Sequence, residues 1–254
     1  MKIYLTDGSE DAFYTAVFFA FQQPDSLIYS ATMQLPIGAE TIYISLDQEK
    51  SARVKSKLKC YAPRAISDVS LLMKRENPEK ENVALSYIRL IIEKKSDVRD
   101  MLSAPAVITT MSEIKKVTLE AHRFTGFIRF SESSNGIFYA PFCPDNNILD
   151  LILPHFLRRL KNQPFIIHDT KRNIAALYNT KDCIITSTAE KVTIDLSEKE
   201  TAFTKLWCEY YNSVNIAERP HEKQMKGYMP VRYWKYLPEK NHRIFAEHEQ
   251  KSDD

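Results

Sequence analysis

Residues 148–161 of this chain set Leu149, Ile152, Leu153, Phe156, Leu157 and Leu160 on one arc of a helix. A stripe with that period must be buried against another element. The segments beside it have the other period. TGFIRF (125–130) and FIIHD (165–169) alternate in the manner of strands with two different faces. Asn135-Gly136 separates 126–130 from a return strand at 137–141, and both residues of that pair tolerate positive φ, which favours a hairpin. Thr170–Asn173 separates FIIHD from IAALY (174–178). The stretch 122–178 therefore predicts a hairpin, a helix and a second hairpin around one core. Pro154 predicts a helix that is kinked or divided in two.

The rest of the chain is read against that block. KIYLT (2–6) is a strand. Asp7-Gly8-Ser9-Glu10 is a turn with the spacing of a variant capping box, and it opens a mostly apolar helix over 10–22. TIYISL (41–46) is a second strand, and Asp47 is placed to cap a helix over 48–60. The polar run 76–82 is the predicted boundary. Helices follow at 81–94 and 106–122, further strands at 182–195, and a helix after Ser197 whose stripe is Phe203, Leu206, Trp207, Tyr210 and Tyr211. The fold class expected is α+β. It comprises a small N-terminal βαβα unit (1–76), a helical middle, and a C-terminal antiparallel sheet packed by helices (77–254).

Composition removes several classes. Five glycines in 254 residues argue against Gly-rich nucleotide cradles. A net charge of +2 is a mild lean toward anionic partners. No apolar run reaches the roughly 18 residues that span a bilayer, and no basic leader precedes TAVFFAF, so the compartment expected is the cytoplasm. Cys60, Cys143, Cys183 and Cys208 form no CxxC pair, which argues against a zinc or iron–sulfur site and for buried free thiols. No HxH or HExxH pair is present, so neither metal nor cofactor is expected in this chain.

The candidate site residues fall in two blocks. His155, Arg158 and Arg159 share a helix flank that can track phosphates; a solvated flank is the plainer alternative. His168 and Asp169, at a strand end, could act as general acid and base, with Lys171 and Arg172 on a phosphate; the alternative is a turn whose Asp169 bonds local backbone. His122 and Arg123 precede the first central strand. Near the C-terminus Arg219, Arg232 and Tyr233 lie among interleaved aromatic and basic residues, a pattern suited to single-stranded nucleic acid or to a strap over the core.

The order HRF-x-GFIRF, PHF-x-RR, QPFIIHDTKR, W-x-x-YY and MP-x-RYWKYLPE resembles an uncharacterised bacterial family. Its members are linked to DNA metabolism or DNA repair and accompany a radical SAM DNA-modification protein; a related domain is fused to uracil-DNA glycosylase-like domains. The resemblance implies DNA and a radical SAM protein as partners. Three readings stay open at this point. The first is an accessory nucleic-acid-binding protein. The second is a damage-processing enzyme, cleaving a base or a phosphodiester through His168 and Asp169. The third is a protein–protein adaptor.

Overall fold

The computed structural model describes residues 2–30, 40–188, 192, 194–214 and 222–240. The chain forms two compact units, Met1–Leu119 and Glu120–Asp254.

The first unit opens with β1 (Lys2–Thr6), α1 (Glu10–Ala20), β2 (Leu27–Ser30), β3 (Glu40–Tyr43) and α2 (Gln48–Tyr61). The strands are parallel in the order β2-β1-β3. The turn after β1 needs Gly8, which sits at φ +84°. Ser9, rather than Asp7, caps α1, its hydroxyl accepting from the Ala12 amide at 3.2 Å; Asp7 accepts the Ser9 amide. Asp47 caps α2 through the Lys50 amide, as expected. The strand Leu27–Ser30 was not expected from the sequence pattern.

Three more helices follow: α3 (Ala65–Met73), α4 (Lys80–Lys94) and α5 (Pro105–Phe127). Val69 and Leu72 of α3 share one buried core with Leu85, Ile88 and Ile91 of α4 and with Phe13 and Val17 of α1. The polar run 76–82 is therefore a connection inside this unit. The division between units falls within α5, at 119/120.

The second unit contains β4 (Ser131–Glu132), β5 (Phe138–Phe142), α6 (Leu149–Arg159), β6 (Phe165–Asp169), β7 (Ile174–Tyr178), β8 (Cys183–Ser187), α7 (Glu200–Ser213), α8 (Glu222–Tyr228) and a 3₁₀ helix (Val231–Tyr236). The sheet order is β4-β5-β6-β7-β8. All neighbours are antiparallel except β5 and β6, which are parallel and joined by α6 as a βαβ crossover. The sheet is thus mixed rather than wholly antiparallel. Leu149, Ile152 and Phe156 of α6 are buried, and Phe130 stacks edge-on between Phe156 and Phe165. Pro154 lies inside α6 without ending it.

The hairpin at Asn135-Gly136 forms, with Gly136 at φ +78°, but its first strand is Ser131–Glu132. The expected strand at 126–130 is not there: α5 runs on to Phe127. The helical period explains it, because Ala121, Phe124 and Ile128 are buried at spacings of three and four. On α7 the stripe of Phe203, Leu206, Trp207 and Tyr210 is largely exposed. Among the described residues no helix is long and apolar enough to cross a membrane.

Candidate functional site

Parallel strands deliver the loops after their carboxyl ends to the same side of a sheet. Here those loops are 143–148, after β5, and the turn 170–173, after β6. The two are tied together at once. Thr170 donates its amide to the Phe142 carbonyl (3.0 Å), and the Asp145 carbonyl accepts from Arg172 Nη2 (2.7 Å) and Lys171 Nζ (3.1 Å). Asp169 is fully buried. Its carboxylate accepts from the Lys171 amide and from Arg172 Nη1, both at 3.0 Å. Asn173 takes a positive φ of 52° to bring the chain back into β7.

The C-terminal segment closes on the same loops. Arg232 Nε donates to Asp145 Oδ2 at 2.6 Å, and its guanidinium lies 4.8 Å from the Tyr233 ring. Tyr236 donates to Thr170 Oγ1 at 3.0 Å. Tyr233 reaches inward and donates to Glu120 Oε1 at 2.8 Å. Glu120, buried, also accepts from the amides of Asp145 (2.7 Å) and Asn146 (2.8 Å) and from Asn146 Nδ2 (2.6 Å). Burial, with the Glu120 bond, pushes the Tyr233 phenol well above its usual range, so it stays a donor. Asp169, Lys171, Arg172, Arg232 and Tyr233 are therefore brought together, as parts of one knot. Glu120 and Asp145, which organise it, carry no motif that singles them out in the sequence.

A second buried carboxylate holds the end of the segment. Glu239 accepts from Arg129 Nη2 at 2.7 Å and from Trp207 Nε1 at 3.0 Å, while the Arg129 guanidinium stacks 5.0 Å from the Trp207 ring. The motifs FIRF, W-x-x-YY and YLPE thus meet in space.

His168 is placed differently. It is 2% exposed, with Tyr139 Oη at 2.7 Å from Nδ1 and Thr188 Oγ1 at 3.0 Å from Nε2. Burial drives its pKa below the ordinary 6.5, against the pull of Asp169. The Tyr139 phenol is pushed up to about 12, chiefly by burial. His168 and Asp169, adjacent on β6, take separate partners. The folded state resists protonating His168, whereas the unfolded chain does not. The stability this contributes is complete above about pH 6.5 and is lost as pH falls through the lower folded value. Thermal melts of His168→Gln should accordingly show a weaker acid-side loss than the natural chain; equal slopes would mean that His168 takes up its proton as readily in the fold as in the unfolded chain.

The other candidates stand apart from the knot. His122 is exposed, and Arg123 donates to the Gly227 carbonyl at 3.0 Å. His155 is half-buried against the Phe156 ring, and its Nε2 is buried with no hydrogen-bond partner. Arg158 and Arg159 end α6, exposed and without an ion pair among the described residues. Arg219 lies outside the described residues. No hydrogen bond joins His122, His155 and His168, and among the described residues no group of three His, Cys, Asp or Glu could hold a metal. The four cysteines are free; Cys60 is exposed and the others half-buried.

No curated protein and no solved structure matches the chain significantly. A family model does match, over residues 78–239, and it describes a domain of unknown function, DUF4130. The matched range begins in the polar run before α4, ends on Glu239, and takes in both buried-carboxylate clusters. It covers well over half of the chain, which belongs to the DUF4130 family.

Proposed function

We propose that the protein is an accessory nucleic-acid-binding protein of DNA metabolism, acting in the cytoplasm beside a radical SAM partner that performs the redox chemistry. The observation that carries the binding is the pair Arg158 and Arg159. Both are exposed, adjacent, and free of carboxylates among the described residues. Lys161 is exposed two positions on, and its carbonyl accepts from the Tyr178 hydroxyl at 2.9 Å. That bond ties the end of α6 to the end of β7, and the exposed Lys181 lies in the turn that follows. Guanidinium forks without a protein carboxylate suit phosphate oxygens. Arg172 and Arg232, by contrast, are engaged with Asp169 and Asp145, so they shape the unit rather than meet DNA.

The partner and the link to DNA metabolism rest on the family resemblance; the cation pair supports contact with a phosphate backbone. The geometry gives less to an enzyme built on His168. A general base must reach the proton it takes, and His168 is buried with both nitrogens occupied.

The test is titration of labelled single- and double-stranded oligonucleotides at several salt concentrations. Arg158→Ala with Arg159→Ala should weaken duplex binding and lower the slope of log K against log salt by about 2, since each neutralised phosphate contributes roughly 0.9. Both side chains are exposed, so the melting temperature should not move. Binding that ignores salt, or a slope unchanged in the double variant, would remove the proposal.

A further inference from the structure

We infer that the protein forms a two-fold dimer through the exposed face of α7. Phe203, Trp207, Tyr210 and Val214 recur at spacings of four, three and four, with Leu206 beside them, so they form one stripe. Phe203, Leu206, Tyr210 and Val214 are each more than half exposed, and Trp207 is 36% exposed. At about 200 Å² per ring, the three aromatics leave about 300 Å² in water, and the two aliphatics raise the stripe to about 450 Å². A stable interface buries about 800 Å² per partner, of which homodimers make about 65% apolar. The stripe supplies most of that apolar share by itself.

Its composition selects the occupant. No Lys, Arg, Asp or Glu falls on the stripe positions, so two copies meet there without like charges opposed. A two-fold axis near the middle of the helix runs the two stripes antiparallel, with the Phe203 end of one copy against the Val214 end of the other. Leu206 and Val214 have no π face to offer a base, which disfavours a nucleic-acid stacking platform. Trp207 is already oriented by Glu239 and by the Arg129 guanidinium, so this central anchor needs little further ordering on association. The edge of the stripe is held by its own unit: Tyr211 contacts Met225 of α8, and Lys240 sits 4.7 Å from the Tyr211 ring.

Sedimentation of the full chain over a hundredfold range of concentration tests this. The natural protein should pass from monomer to dimer. Leu206→Arg and Tyr210→Asp should each weaken dimerisation by at least about thirtyfold, because a two-fold axis counts every substitution twice. Their far-UV circular dichroism should be unchanged, since both positions are exposed, and Leu102→Arg, at an exposed apolar position in the first unit, should leave the dimer intact. The inference fails if the natural chain is monomeric throughout, if both α7 variants still dimerise, or if association requires an added single-stranded oligonucleotide.

Discussion

Glu120→Ala should cost the C-terminal unit about 4 kcal/mol, because four donors lose one buried acceptor. Four donors converge on this carboxylate: two backbone amides of the loop after β5, the Asn146 side chain and the Tyr233 hydroxyl. Alanine leaves them facing a void, and a buried donor without an acceptor forfeits about 1–3 kcal/mol. Glu120→Gln keeps one oxygen and should lose about half as much. Tyr233→Phe removes the bond to Glu120 and the longer one accepted from Arg232 Nη2 (3.3 Å) without a cavity, and should cost about 1.5 kcal/mol. Urea unfolding followed by tryptophan fluorescence reads this unit alone, because the only two tryptophans, Trp207 and Trp234, both lie in it. The midpoint should fall with the slope unchanged. A loss below about 1 kcal/mol for alanine would mean that water takes over the carboxylate's bonds.

Arg129→Met should be nearly as damaging, at about 3 kcal/mol, because it strands Glu239 as a buried charge. Arg129 is one-quarter exposed and Glu239 only 1%, so water screens the arginine but not its partner. The Trp207 indole still donates to Glu239 in that variant, but it brings no positive charge. Glu239→Gln alone should cost about 2 kcal/mol, leaving the guanidinium stacked on Trp207 but without its counter-charge. The double variant Arg129→Met with Glu239→Gln should lose clearly less than the two single losses combined, by about 1 kcal/mol or more. Strict additivity in the same urea titration would show that the pair contributes nothing jointly and that Arg129 acts only through its stacking.

The sequence is informative where one period dominates. The apolar arc of 149–160 is interior, and FIIHD and IAALY are neighbouring strands, because each has a single consistent pattern. GFIRF fits two periods at once. Alternation makes it a strand, while Ala121, Phe124 and Ile128 extend a helical stripe, and packing favoured the helix. Parallel pairing of β5 with β6 is written in the intervening helix, since strand, helix and strand can close a crossover; the Asn135-Gly136 turn points instead to the short β4. For α7 the period predicts the helix and its stripe but not their surroundings, because an amphipathic stripe does not say whether its own chain covers it. The family motifs are legible as motifs but not as roles. Arg172 and Arg232 both bond to Asp145, Tyr233 to Glu120 and Glu239 to Arg129, and Glu120 and Asp145 look in the sequence like any surface acid.

The fastening of the C-terminal segment onto Glu120 and Arg129 has a consequence for biosynthesis. Tyr233 meets Glu120 across 113 positions, and Glu239 meets Arg129 across 110. A ribosome adding about 5–20 residues per second needs roughly 6–20 seconds to travel from one partner to the other. In the later part of that interval, once Cys183–Ser187 has been made, the sheet can pair while Glu120 and Arg129 still lack their last partners. The residues of the N-terminal unit have all been synthesised before then. The nascent protein therefore waits on the tunnel as a folded first half and an unlatched second half, and it is in that window that the second half has most need of a chaperone.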